Sequence, residues 1–348
     1  MSEIDILSFG ETMAMFVAEQ AGDLASVGQF HKRIAGADSN VAIGLSRLGF
    51  NVAWLSRVGD DSLGRFVLDT LRNEGLDCNH VAIDPLHPTG FQLKSREDAG
   101  ADPQVEYFRR GSAASHLSVA AISPELLQAR HLHATGIPPA LSDATRDLSR
   151  QLMTQMREAG RSVSFDPNLR PALWTNEQRM ISEINALACL ADWVLPGLSE
   201  GRLLTGFDDP ADIAAFYLDQ GVEAVAIKLG AHGAYYRTQL DQGFVAAVPV
   251  TNVVDTVGAG DGFAVGMISA LLENLSFAQA VQRGNWIGSR AVQSRGDMEG
   301  LPTRADLHAA PVAAAEGCDK AAGLRRPQES APALQATAAC GSGYTDLH

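Results

Sequence analysis

Lysine is scarce in this chain. Lys32, Lys94, Lys228 and Lys320 are the only four in 348 residues, and none follows a glycine. A Walker A loop needs a Gly-Lys step, so that nucleotide motif is excluded. Basic residues are also outnumbered: 27 Lys plus Arg face 41 Asp plus Glu, a formal charge of −14. A nucleic-acid partner calls for a basic face, and none is evident. A polyanionic substrate must then be held by local features and not by the global field. Cysteine is sparse as well. Cys78, Cys189, Cys318 and Cys340 are scattered without a Cys-x-x-Cys pair. That usage fits a reducing cytoplasm and not a disulfide framework. No apolar run approaches the roughly 18 residues of a membrane helix. Met1 to Gly10 reads as acidic and strand-like, without the charged-then-apolar pattern of a secretory leader. His131-x-His133 offers two imidazoles on one strand face, but no cysteine or His-Glu-x-x-His spacing accompanies them. They read as structural.

What the chain does have is 46% hydrophobic residues, ample for a large core. Strand-like and helix-like runs alternate. Ile4 to Phe9 reads as a strand and Val41 to Leu48 as a helix; Asn51 to Val58 and Ser62 to Asn73 repeat the pair. The pattern continues through Ala224 to Leu229. Repeated strand–helix units predict a mainly parallel sheet covered on both faces. Two stretches, about 11–34 and 89–110, break the alternation and read as extra strands. After Arg304 the character changes, with a short helix expected over Ala305 to Ala309. Residues 310–348 are rich in Ala, Pro, Gly and Ser and read as a mostly disordered tail.

The most informative stretch is Asp255-Thr256-Val257-Gly258-Ala259-Gly260-Asp261. It follows a strand-like run, Val245 to Val250, and opens an apolar run, Gly262 to Leu272, that reads as a buried helix. Two glycines at such a junction let the backbone come close to a ligand. The first helical turn offers unpaired N–H groups and the positive end of the macrodipole, a setting that favours phosphate. A carboxylate repels phosphate, so Asp261 needs a reason to be there. Phosphoryl transfer supplies one, because the attacking hydroxyl must meet a base or positioning group beside the γ-phosphate.

This string matches the second signature of ribokinase-like (PfkB) sugar kinases, and the chain resembles them from about Ile4 to Arg304. The resemblance implies an α/β doubly wound, mainly parallel sheet flanked by helices, with the two β-rich stretches as a small β-lid that also serves in dimer contacts. It implies one kinase domain over residues 1–309, with ATP and Mg²⁺ as cofactors. Asp261 is the expected base, with Gly258, Ala259 and Gly260 as its catalytic companions; the N–H groups of Ala259, Gly260 and Asp261 are expected to stabilise charge on the transferring phosphoryl group. On the nucleotide side it points to Asn168, Ser199, Asn285 and the turn carrying Lys228, Gly230 and Gly233. Leu195 to Glu200 resembles the family's Asn-x-x-Glu motif, with Gly197 where the Asn would stand. Glu200 would then order a hydrated Mg²⁺ through water.

On the sugar side, Gly36-Ala37-Asp38-Ser39-Asn40 resembles the family's first signature, with Gly36, Asp38 and Asn40 expected at the sugar. Asp297 matches a further sugar-contacting position. The string Asp166 to Trp174 and the step Tyr107-Phe108-Arg109 before Gly-Ser-Ala-Ala-Ser look like kinases of 2-keto sugar acids. Arg109 and Arg170 are expected to grip a carboxylate, which suits a planar fork. Fructose has no carboxylate. Gln92 stands where many keto-deoxy sugar kinases carry tyrosine, and its extra donor and acceptor suit a 3-hydroxyl. The expected reaction is therefore 6-phosphorylation of 2-ketogluconate, with 2-keto-3-deoxygluconate as the alternative. A fructokinase and a silent sugar-acid sensor are more distant readings.

Overall fold

The computed structural model describes residues 3–96, 103–254, 257–294 and 296–310. Asp255 and Thr256 of the signature string, and the tail after Ala310, lie outside the described residues. The strands are β1 Ile6–Phe9, β2 Met13–Ala21, β3 Phe30–Ala35, β4 Val52–Gly59, β5 Val81–Asp84, β6 Phe91–Arg96, β7 Val105–Phe108, β8 His131–Thr135, β9 Ser162–Asp166, β10 Trp193–Val194, β11 Ala224–Lys228, β12 Gly233–Thr238 and β13 Gln242–Ala246.

Nine of these form one sheet in the order β13-β12-β11-β10-β9-β8-β1-β4-β5. From β11 to β5 all neighbours run parallel; β12 and β13 add an antiparallel edge. The chain leaves β1 for β4 on one side and later returns to β8 on the other. That reversal opens a crevice at the carboxyl ends of β1 and β8, where ligands bind in open α/β sheets. β2, β3, β6 and β7 form a separate sheet in the order β3-β2-β6-β7. They fall within the two stretches that break the strand–helix alternation.

Side chains alternate across the large sheet, so Ile6 and Leu7 feed separate cores on its two faces. One core holds the helices Ala37–Arg47, Ser62–Asn73, Ala259–Leu272 and Phe277–Ala291. The other holds Asp143–Glu158, Glu177–Ala188 and Pro210–Leu218. Local signals set several helix starts. Asp61, Asn176 and Asp209 each accept a first-turn N–H, and Ser142 and Thr145 form a capping box. The helices 259–272 and 277–291 pack backbone to backbone: a Cβ on Gly266 would lie 2.5 Å from Gly284 Cα.

The strand expected over Val245 to Val250 is displaced. β13 stops at Ala246 because its partner β12 begins at Gly233, which pairs with Ala246. The buried helix starts at Ala259, three residues earlier than its apolar run, and so takes Asp261 into its first turn. Among the described residues, no helix is long and apolar enough to cross a membrane.

Candidate active site

A cavity of about 450 Å³ lies at the carboxyl ends of the parallel strands. Glu11 reaches it from beyond β1, Ile137 from beyond β8, Asp166 from the end of β9, Glu200 from beyond β10 and Lys228 from the end of β11. The small sheet supplies the opposite wall through Met13, Gln92, Lys94, Val105 and Tyr107. Val257, Gly258, Gly260 and Asp261 close the floor.

The floor follows from backbone geometry. Gly258 caps the helix with φ 82°, in the left-handed region that favours glycine. A Cβ there would also lie 2.4 Å from the Asp297 carbonyl oxygen. Gly262 N donates to Gly258 O at 2.8 Å, starting the helical ladder. The N–H groups of Ala259, Gly260 and Asp261 precede it and have no helical acceptor. Ala259 itself does not line the cavity.

Asp261 is buried (8% exposed). Its Oδ2 accepts from Asn40 Nδ2 at 2.8 Å, and its Oδ1 lies 3.5 Å from Asn168 Nδ2. Burial pushes this carboxyl up from 3.8 to about 7. Asp166 and Asp297 add to the shift; Asn40 and Lys228 oppose it. Asn168 holds its amide there from a left-handed backbone, φ 38°, a strain asparagine tolerates better than most residues.

Lys228 is paired with Asp166 at 2.5 Å. Burial pulls its ammonium down, but Asp166, Glu200 and Asp261 outweigh that and hold it above its ordinary value, so it is charged. It stands 3.6 Å from where a Gly260 Cβ would be, beside the free N–H groups. The sequence groups Lys228 with the hairpin turn; the structure turns its side chain into the cavity instead.

Two further ion pairs serve the other end. Arg109 binds Glu11 through Nε at 2.7 Å and Nη2 at 2.6 Å, and Ser112 Oγ donates to the other Glu11 oxygen. The guanidinium expected to meet a ligand carboxylate therefore already holds one. Lys94 Nζ lies 3.3 Å from Asp297 Oδ1, with both side chains less than one-tenth exposed. Arg170 differs. Its Nη1 donates to the carbonyls of Leu169 at 2.9 Å and Asn168 at 3.4 Å. Among the described residues it is the one lining cation without a carboxylate within 4 Å.

The cavity brings together Gly36, Asn40, Gln92, Tyr107, Arg109, Asn168, Arg170, Glu200, Lys228, Gly258, Gly260, Asp261 and Asp297. Gly36 cannot carry a side chain there, since a Cβ would lie 2.4 Å from Glu11 O. The cavity does not include Asp38, Ser199, Gly230, Gly233 or Asn285. Asp38 sits in the first turn of its helix, 1% exposed, against Gly10. Neither of its oxygens has a hydrogen-bond partner. Burial, with Asp261 nearby, pushes it up to about 7; Thr135 offsets this from close by without a bond within 3.5 Å. Asn285 Nδ2 ties the helix 277–291 to the carbonyls of Val245 and Ala246 at 3.0 and 3.1 Å. Gly230 and Gly233 shape the β11–β12 turn with φ 59° and 110°.

Ser199 is exposed. The string Gly197-Leu198-Ser199-Glu200-Gly201 has the Gly-x-Ser-x-Gly spacing of a hydrolase elbow. The strained backbone of such an elbow is absent, as Asn168 and Asn274 are the positive-φ non-glycines among the described residues. Glu200 caps its own helix: Oε2 accepts from Gly197 N and Oε1 from Leu169 N, both at 2.7 Å. Sequence reasoning assigned no role to Glu11, Lys94 or Asp166. Lys94 lies in a strand, Asp166 at the end of one and Glu11 just beyond one, and only the pairing gives each its meaning. His131 and His133 are fully buried and bonded to Ser162 and Ser164 at 2.8 Å. Burial holds both far below the ordinary imidazole value, hence neutral.

Residues 3–304 match the family model described as pfkB family carbohydrate kinase. The chain is 53% identical over 307 residues to the 2-dehydro-3-deoxygluconokinase of Bacillus subtilis (strain 168), covering 88% of this chain and 94% of that one. The crystal structure of a PfkB protein from Polaromonas sp. JS666 is similar at 54% identity and a TM-score of 0.82, covering 88% of this chain and 100% of that one. A putative ribokinase II from E. coli, solved in complex with ATP and Mg²⁺, is similar at 26% identity and a TM-score of 0.81, with coverages of 88% and 98%. A match over residues 3–304 shows that this chain belongs to the pfkB family of carbohydrate kinases.

Proposed function

We propose that this enzyme transfers the γ-phosphoryl group of ATP to the terminal (6-) hydroxyl of a 2-keto sugar acid, with 2-keto-3-deoxygluconate as first choice. One observation carries the reading: Asp261, beside backbone N–H groups without helical acceptors, shares a cavity with Arg170, whose guanidinium has no carboxylate partner among the described residues. A carboxylate-bearing sugar supplies that partner at one end and an alcohol at the other. The name of the Bacillus subtilis relative favours the 3-deoxy acid. This reverses the order that Gln92 suggests from sequence. Gln92 lines the cavity at 5% exposure opposite Tyr107, so 2-ketogluconate remains the second reading.

Asp261 takes or orients the hydroxyl proton. It need take the proton only late in a loose transition state. The N–H groups of residues 259–261 and the Lys228 ammonium stabilise charge on the transferring group. The cofactor role of ATP with Mg²⁺ draws support from the E. coli structure solved with both. Among the described residues no three His, Cys, Asp or Glu form a metal cage. Mg²⁺ does not require one, since it keeps several waters and takes one or two carboxylates plus phosphates. Glu200 and Asp166 face the cavity and fit that donor set, with Glu200 acting through water. Bound there, Mg²⁺ would neutralise phosphate charge.

We further read residues 1–309 as the kinase domain of a cytoplasmic enzyme and the small sheet as its lid. Stacked Phe91 and Phe108, with Phe16 edge-on, give that sheet an aromatic patch, with Phe108 48% exposed. This favours a dimer through the lid.

The test is ATP consumption with 2-keto-3-deoxygluconate, 2-ketogluconate and fructose side by side. Both keto acids should far exceed fructose; a preference for fructose would sink the sugar-acid reading. Gln92→Tyr should move preference towards the 3-deoxy acid by about 1–3 kcal/mol at most. Unchanged selectivity would strip Gln92 of its role.

A further inference from the structure

Residues 296–301 join the two walls of the cavity. From the small sheet, Arg33 Nη1 of β3 reaches Glu299 Oε1 at 2.7 Å, and Lys94 of β6 reaches Asp297 at 3.3 Å. From the body, Arg47 Nη1 donates to the carbonyls of Met298 at 2.8 Å and Leu301 at 3.1 Å. Arg47 is itself fixed by Glu74 at 2.8 and 2.9 Å. Gly296 takes φ 106°, and the Arg33–Glu299 pair lies directly over it: a Cβ there would meet Glu299 Oε2 at 2.1 Å and Arg33 Nη1 at 2.5 Å. The same segment touches the floor, because the Asp297 carbonyl packs on Gly258 Cα. Neither Arg33 nor Glu299 lines the cavity.

We propose that Arg33 and Glu299 are positioning residues, a latch that sets the small sheet over the cavity and, through residues 296–299, holds Asp297 and the Gly258 turn in register for phosphoryl transfer. The path is contiguous: β3 to Glu299, Glu299 to Asp297 along one tight turn, and Asp297 to both Lys94 and Gly258. Each latch side chain is about one-third exposed (32% and 33%). Exposed pairs of this kind add little to folding stability. A pair that adds so little to stability, placed where the small sheet meets residues 296–301, fits a role in position.

The inference rests on the sugar-acid kinase reading, so the test has one arm that needs no substrate. Arg33→Ala and Glu299→Gln should each leave the melting temperature near wild type. Without ligand, hydrogen exchange should quicken in β6 and also in residues 257–263. With the best sugar acid, KM should rise about 5- to 20-fold with kcat changed less. ATP hydrolysed per sugar phosphorylated should rise several-fold. The double charge reversal Arg33→Glu with Glu299→Arg should recover most of the loss. Exchange that quickens only near residue 33, with 257–263 unchanged, overturns the latch whatever the substrate proves to be. Unchanged KM and coupling in both single variants also overturns it. A failure of the wild type to use any sugar acid would instead fall on the activity reading and leave the exchange result decisive for the latch.

Discussion

The two ends of the cavity are built by different means. The end proposed for phosphate is mostly main chain: a left-handed Gly258, three N–H groups without helical acceptors and one acid, all within four consecutive residues. The end proposed for the sugar is side chains, arranged as buried ion pairs that join β6 and the residue after β7 to segments outside the small sheet. Arg109–Glu11 spans 98 residues and Lys94–Asp297 spans 203. A main-chain device tolerates little substitution but needs no partner from elsewhere. A side-chain device can be retuned for another sugar, provided both members of each pair are kept. Breaking a buried pair leaves an uncompensated charge, which costs more than the pair contributes.

This contrast predicts where function should break. The largest effect belongs to the phosphate end. Asp261→Asn should cut kcat by about 10²–10⁴-fold while sugar-acid affinity, measured by calorimetric titration, stays within a few fold. Near-normal turnover would remove Asp261 from the chemistry. In the wild type, kcat/KM should fall as pH drops through about 7, where this acid takes up its proton. A profile flat from pH 8 to 6 would show that another group limits the rate.

A smaller loss is expected at the sugar end, and of another kind. Arg170→Met should lower kcat/KM for the sugar acid by about 1.5–3 kcal/mol, the worth of hydrogen bonds to a charged group. The residual rate on fructose should not change. Equal losses on acid and neutral sugar would mean that Arg170 shapes the cavity and does not read the carboxylate.

The smallest effect concerns Asp38, which belongs to neither end. Its native value near 7 lies above the ordinary 3.8, so the folded state holds the proton more tightly. Its contribution to stability is full below pH 4 and is lost as pH rises through 7. Asp38→Asn should therefore raise the melting temperature at pH 8 by about 2–4 °C and flatten the decline between pH 5.5 and 8. Asp261 shifts in the same window, so some decline should persist in the variant. A steeper decline would contradict the burial argument.

The same division explains what could be read from sequence. Alternating runs placed most elements within a few residues, because apolar periodicity is local. The glycine turn that opens the helix 259–272 is readable for the same reason, being contiguous. Asp38 differs from its expected place because its position in a first helical turn aims it at Gly10 and outside the cavity lining, and spacing alone does not report that direction. Lys228 was assigned to its hairpin when its partner Asp166 lies 62 residues away. Glu11 and Lys94 carried no local signal, since each acquires meaning only through an ion pair formed by folding.

The glycine contact between the helices 259–272 and 277–291 has a mechanical consequence. With Gly266 pressed to the Gly284 backbone, the helix carrying Asp261 has no side chain between it and its neighbour at that crossing, and so little room to recoil when a charged ligand arrives. It acts as an anvil. Whatever adjustment the enzyme makes between one sugar and the next must come from the opposite jaw, whose strands meet the body through side chains that can swing.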